Sequence, residues 1–330
     1  MPVTLVWRTD VHLSDHTPRS RTDNWTETVL RKLAAVGDIA RNAGATAVID
    51  GGDFFDIKAP GRNSHALIQR VMAIHRDYPC PVYANVGNHD CVYGDYSYLP
   101  QQPLGVLYEA GTFRRLYDEH EAVFTATGAL RVPVTVRVVG VPYHGTKYDL
   151  DRLARIKKGD EDYLMVVCHL LASPTQSTMF DAEDVIRYDV LDNYPDVDVW
   201  AFGHWHKDQG ITRTPGGKIV INTGSLTRGA LSQDSLDRVP TVTVVRFDLE
   251  GVTATKVLVP HAPASEVFDL VKRDADQIQQ TMIEEFVDHL SQTFAPSAQK
   301  SLTDAVRDIP GVPDLVRERT INYIEKAGGR

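Results

Sequence analysis

The chain has 330 residues, 42% hydrophobic and 24% charged, with 35 Lys and Arg against 44 Asp and Glu for a formal net charge of −9. A chain this apolar buries a sizeable core, which excludes disorder as the main state; its acidity excludes a surface that grips nucleic acid over its whole extent. Cys80, Cys91 and Cys168 form no CxxC pair, so neither a disulfide scaffold nor a thiolate zinc site is expected.

Strands are predicted at Val3–Trp7, Ala45–Ile49, Val82–Val86, Val134–Val139, Leu164–Cys168, Val197–Phe202 and Lys218–Ile221. Each is rich in Val or Ile and bounded by Gly, Pro, Asn or Asp. Between the first two, Trp25, Val29, Leu33, Val36 and Ala40 fall on one helical face, with Asp23 and Asn24 where the N-cap belongs. A second helix carrying Leu67, Val71 and Ile74 precedes the third strand. This alternation implies layered α/β architecture with parallel pairing in at least one sheet. A hairpin follows, Thr241–Asp248 and Val252–Val259, turning at Glu250-Gly251.

After Pro260-His261-Ala262-Pro263 the composition changes. Val267, Leu270, Ile278, Met282, Phe286 and Leu290 recur at helical spacing, and a second helical piece lies around Leu315 to Ile324. Residues 1–259 are read as the main domain and 263–330 as a small helical region that either docks a partner or packs on its own core. No run reaches the roughly 18 apolar residues of a membrane span, and the apolar stretch opening the chain is too short for a signal-peptide core. A cytoplasmic protein with no membrane contact is expected.

The chemistry gathers at strand ends. The first strand runs into Asp10-Val11-His12, the second into Gly51-Gly52-Asp53 and the third into Gly87-Asn88-His89-Asp90. Two later strands end at His169 and at Gly203-His204-Trp205-His206. Ligands of open α/β sheets collect at the carboxyl ends of strands, so Asp10, His12, Asp53, Asn88, His169, His204 and His206 are predicted to converge. Alone, each has an ordinary role: a helix cap for Asp53, a left-handed turn for Asn88, a satisfied core histidine for His169. Five such strand ends in order are not explained that way. Oxygen and imidazole donors without thiolate suit Mn, Fe or Zn better than copper or an iron–sulfur cluster.

This series, Asp10-x-His12, Gly52-Asp53, Gly87-Asn88-His89-Asp90, His169 and Gly203-His204-x-His206, resembles the calcineurin-like metallophosphoesterases over roughly residues 1–258. Segments Asp10–Leu13, Gly52–Asp56, Asn222–Arg228 and Arg238–Pro240 are similar to the SbcD-type DNA repair nucleases, in particular their shorter phage-type members. Two departures are Cys168 in place of the usual glycine and the want of a β-rich capping domain. The resemblance implies an α/β/β/α sandwich of two mixed sheets and a two-metal phosphodiesterase. The expected activity is that of a DNA exonuclease or single-strand endonuclease, with small or cyclic nucleotides as the alternative substrates.

By the same resemblance, Asp10, His12, Asp53 and His206 hold one divalent ion and Asp53, Asn88, His169 and His204 the other, with Mn2+ foremost and Fe2+, Zn2+ or Ni2+ as alternatives. A metal-bridging hydroxide then attacks the phosphodiester in line. His89 is left free of metal and is the expected general acid, with Asp90 orienting its ring. Partners implied are a coiled-coil ATPase of SbcC type and a second copy of the chain. Around the site, Tyr96, His144 and Arg228 are candidate substrate contacts, Tyr96 from a loop holding Tyr93 and Tyr98 as well. Gly216-Gly217-Lys218 lacks the upstream glycine of a phosphate loop and reads as a hairpin turn.

Overall fold

The computed structural model describes residues 2–92, 95–127, 132–175, 178–179, 183–270, 302–307 and 312–328. They fall into two compact units, 1–268 and 269–330. In the first, the strands in chain order are β1 (Val3–Arg8), β2 (Ala47–Asp50), β3 (Val82–Ala84), β4 (Arg114–Arg115), β5 (Glu121–Thr127), β6 (Pro133–Val141) and β7 (Tyr163–His169). Four short strands follow, β8 (Ala172–Ser173), β9 (Thr178–Met179), β10 (Glu183–Asp184) and β11 (Ile186–Arg187). The last are β12 (Val199–Gly203), β13 (Gly210–Arg213), β14 (Ile219–Asn222), β15 (Thr241–Asp248) and β16 (Gly251–Leu258). They build two six-stranded sheets, ordered β16-β15-β1-β2-β3-β4 and β13-β14-β12-β7-β6-β5. Both are mixed: β1 pairs in parallel with β2 and antiparallel with β15, and β12 lies parallel to both β7 and β14 while β13 and β5 run antiparallel at the edges.

Alternation sorts each strand's side chains onto two faces. Leu5, Trp7, Ala47, Ile49, Val245 and Phe247 of one sheet meet Val136, Val138, Met165, Val167, Ala201 and Ile221 of the other in a dry inner core. On the outside of the first sheet, Val6 and Val48 pack under helices α1 (Trp25–Ala43) and α2 (His65–Arg76). On the outside of the second, Val166, Cys168, Trp200 and Phe202 are covered by Leu153, Tyr188 and Leu191 from short helical turns. The layers are therefore α/β/β/α, as expected. Cys168 points into this outer core and is accommodated there.

Helix α1 starts where predicted: the Asn24 side chain accepts the Glu27 amide, Trp25, Val29, Leu33, Val36 and Ala40 are buried, and Gly44 closes the helix with φ of 63°. The seven predicted strands and the hairpin are present with ends moved by one or two residues. The strands that the sequence pattern does not predict are edge or short ones, notably β5 and β13. Val123 of β5 is 57% exposed, and an edge strand with one wet face needs few of the residues by which strands are recognised. Gly216-Gly217 does make the turn between β13 and β14, with φ of 86° at Gly217.

Residues 264–267 form a short helix within the first unit, and Phe268 there receives the Arg21 guanidinium over its ring. In the second unit, helices span Leu302–Arg307 and Asp314–Gly328, and Arg317 ties them by donating to the Val306, Arg307 and Val312 carbonyls. The predicted apolar stripe Ile278, Met282, Phe286 and Leu290 lies outside the described residues. No helix among the described residues is long and apolar enough to cross a membrane.

Candidate metal centre

The carboxyl ends of β1, β2 and β3 meet those of β7 and β12, and the loops leaving them are zipped together by their own backbones. Asp10 donates its amide to the Gly52 carbonyl, His12 to Asp53 and Leu13 to Phe54, all near 3.0 Å. This path holds Asp10, His12, Asp53 and His204 at φ of 52°, 49°, 54° and 83°. Left-handed backbone at non-glycine residues is strained and persists where surrounding bonds over-determine it. Gly87 has no alternative: a Cβ there would lie 2.0 Å from the Asp53 Oδ1.

These loops bring the strand-end side chains close together. Ligating atoms of Asp10, His12 and His206 lie within 4.8 Å of one another, and so do those of Asp53, His169 and His204. Asp53 stands between the groups, its Oδ2 3.2 Å from the His169 Nε2 and 3.8 Å from the His12 Nε2. Asn88 joins the second group through its Oδ1, 3.3 Å from the His169 Nε2. The His169 Nδ1 donates to the Gly51 carbonyl at 2.9 Å, which leaves Nε2 facing the cluster.

The electrostatics ask for cations. Burial opposes ionisation of Asp10, but hydrogen bonding with His12 and the charges of His169 and His206 outweigh it and hold the carboxyl below its usual range. Asp53 is likewise held low against burial, chiefly by His169 and then His12. The carboxylates act in return: against burial, Asp10, Asp56 and Asp53 push His12 up to about 10, and Asp53 and Asp10 push His169 up to about 9. Buried acids that draw positive charge onto His12 and His169, with three oxygen and four nitrogen donors in reach, fit a pair of hard or borderline divalent ions.

Two neighbours of the cluster lie beyond what strand ends reveal. Asp56 brings its Oδ1 within 3.3 Å of the His12 Nδ1, and with His12 and His89 it forms a third group of close donor atoms. Glu183, on β10, accepts from the His204 Nε2 at 3.0 Å and from the Tyr148 hydroxyl at 2.8 Å. With Nε2 so committed, Nδ1 is the His204 nitrogen left to ligate. Neither acid directly follows an apolar strand, so strand ends alone did not mark them as part of the cluster.

Other expectations need correction. His89 does sit at the cluster, its ring 4.8 Å from that of His12, but Asp90 does not orient it. The Asp90 carboxylate instead accepts the amides of Asp53, Phe54, Phe55 and Gly87 at 2.6 to 3.3 Å, fastening the loops that carry Asp53 and Asn88. Burial, then the Asp53 charge, pushes Asp90 up to about 7. The His89 ring is set by its Nδ1 donating 2.7 Å to the Asp56 carbonyl. Arg228 is buried, donating to the Ala262 and Ser235 carbonyls, because its chain turns inward beside Arg21. The Tyr96 hydroxyl is taken by the Tyr143 carbonyl, and both His144 nitrogens bond within their own loop, to Pro142 and Asp149. From that segment it is Tyr143 that borders the site, its ring 5.2 Å from His204. Tyr93 lies outside the described residues.

Layered fold and paired donor clusters together define a metal-dependent phosphoesterase. The calcineurin-like phosphoesterase sequence profile matches residues 6–208, more than half of the chain, and the protein belongs to that family. No curated protein matches it by sequence. Among solved structures it is similar to a putative 5'-nucleotidase from Staphylococcus aureus solved with alpha-ketoglutarate, at 16% identity over 79% of this chain and 55% of that one, with a TM-score of 0.48. It is also similar to a dimetal phosphatase from Danio rerio, at 13% identity over 79% of this chain and 100% of that one, TM-score 0.48. The inner-membrane-complex anchor of Plasmodium is similar at 11% identity over 80% and 90% of the two chains, TM-score 0.49.

Proposed function

We propose that the protein is a two-metal phosphodiesterase acting on DNA, of the SbcD type. When bound, a pair of divalent ions supplies Lewis acidity toward phosphoryl oxygens and acidifies water near neutral pH. Asp10, His12, Asp53 and His206 would hold one ion, and Asp53, Asn88, His169 and His204 the other. The observation that carries the diesterase reading is His89. Its Nδ1 is anchored on the Asp56 carbonyl, so in the doubly protonated ring Nε2–H is the proton it can hand to a departing alkoxide. A sugar hydroxyl is a poor leaving group without that proton.

The finer assignment rests on the segments Asp10–Leu13, Gly52–Asp56 and Asn222–Arg228, and in it the chain works beside a coiled-coil ATPase. The net charge of −9 favours the alternative, hydrolysis of small or cyclic nucleotides. One experiment separates the two: purified protein with Mn2+, end-labelled single- and double-stranded DNA, and a nucleotide panel. Cleavage of DNA at least as efficient as that of any nucleotide supports the nuclease. Turnover of cyclic nucleotides with intact DNA overturns it.

A further inference from the structure

Beside the donor cluster, on the side of His12, His89 and His206, lies a groove of about 410 Å³, large enough for a nucleotide unit. Arg19, Arg62, His16 and Trp25 line it as well. Arg19 and Arg62 are exposed. Among the described residues neither guanidinium has a carboxylate or hydrogen-bond partner. Arg21, two residues from Arg19, shows the contrast, being locked onto Asp23 by two bonds of 2.8 Å. Among the described residues Asp56 is the one acid lining the groove, and it faces His12 at 3.3 Å. In a chain of net charge −9, two uncommitted guanidiniums on one groove are a local anion site, and guanidinium forks match phosphate oxygens.

We infer that this groove binds a phosphate flanking the scissile one, so that the substrate is a single strand of nucleic acid laid across the site and not an isolated one-phosphate diester. The inference rests on the phosphodiesterase reading above and narrows its substrate. A cyclic mononucleotide has no second phosphate for Arg19 and Arg62 to hold.

The test uses the full chain with Arg19→Gln and Arg62→Gln together, and Arg19→Lys with Arg62→Lys as the charge-keeping control. Both positions are exposed, so thermal melts should match wild type. Initial rates with Mn2+ are compared on a single-stranded oligodeoxynucleotide and on bis(p-nitrophenyl) phosphate, and oligonucleotide binding is read by fluorescence anisotropy in EDTA. In the Gln variant the ratio of kcat/KM for oligonucleotide over small diester should fall about tenfold or more. The slope of log affinity against log salt should become shallower by about 0.7 for each phosphate that is no longer neutralised. The Lys control should recover most of both. If wild type cleaves the oligonucleotide and the Gln variant keeps its ratio and its salt slope, the groove is not the strand path. If wild type hydrolyses the small diester but leaves the oligonucleotide intact, the nucleic-acid reading itself falls, and the groove assignment with it.

Discussion

The two halves of the metal centre are built differently. In the inner half, the Asp53 and His169 side chains are 1% and 0% exposed, and each is held by backbone: the His169 Nδ1 by the Gly51 carbonyl, the Asp53 Oδ1 by the His89 amide at 2.7 Å. In the outer half, His12 is nearly buried but His206 is 48% exposed and opens on the groove with the free arginines. The outer half has a backbone anchor too, the His204 amide donating to the buried Asp10 carboxylate at 3.1 Å, but it ends in a solvated imidazole where the inner half does not. The inner half fixes position, since its geometry is part of the core. In the proposed strand path, the outer half is the one that would meet the substrate, since His206 opens on the groove.

The sharpest way to break this contrast is to remove one ligand from each side. Asp53→Ala should abolish metal binding in both halves and phosphodiesterase activity with it, because Asp53 lies between the two groups. His206→Ala should lose the outer ion alone and keep about one equivalent. Elemental analysis after dialysis against Mn2+ reads both, with thermal melts to confirm folding. Retention of two equivalents by Asp53→Ala would sink the shared-ligand assignment.

Next in size is His89, which borders the outer half without belonging to either donor group of the proposed pair. His89→Gln should keep two equivalents of metal while turnover of an oligonucleotide falls by about 10²–10⁴. Hydrolysis of bis(p-nitrophenyl) phosphate, whose leaving group needs no proton, should change far less. An equal loss on both substrates would show that His89 positions the site instead of protonating the leaving oxygen.

A smaller effect should follow from Glu183→Gln. The amide keeps the shape but can no longer offer the His204 Nε2 a charged acceptor, and loss of such outer partners weakens metal binding about 10–100-fold. Titration calorimetry with Mn2+ should place that loss in the inner ion only. If the weaker site is instead the one removed by His206→Ala, the division into halves is drawn in the wrong place.

These contacts also show which parts of the site can be read from sequence. The seven ligand candidates were legible because each follows an apolar strand, and parallel strands deliver their ends to one edge of the sheet. Asp56 and Glu183 were not, since they reach the cluster from loop and short-hairpin backbone with no periodic signal. Asp90 misled for a different reason: adjacency to His89 in the chain suggested a contact, but a turn sends neighbouring side chains apart, and its carboxylate went to four amides. Arg228 failed because hydrogen-bonding carbonyls inside the fold captured it, which nothing in its local sequence states. The layers were legible for the buried strands and obscure at β5 and β13, where one wet face dilutes the pattern.

The contrast assumes that buried charge is stable only where countercharge surrounds it, and Lys32 examines that rule from the opposite side. It lies on the inner face of α1, 5% exposed, and among the described residues its Nζ has no hydrogen-bond partner. Burial, then the charges of Arg228, Arg238 and Arg21, lowers it from 10.5 to about 7, against the opposing charge of Asp23. A lysine depressed in the folded state is protonated more readily once unfolded. Folding therefore carries the full penalty below about pH 7, a shrinking one as pH rises, and none above about 10.5. Lys32→Met removes the charge at similar length and should stabilise the protein at pH 7 by about 1–3 kcal/mol. Thermal or urea melts of both proteins at pH 7 and pH 10 should show the gap narrowing at the higher pH, because wild type has by then shed most of its proton. A gap that is the same at both values would mean that packing, not uncompensated charge, sets the stability at this position, and that the imidazoles around Asp10 and Asp53 need another explanation for their tolerance.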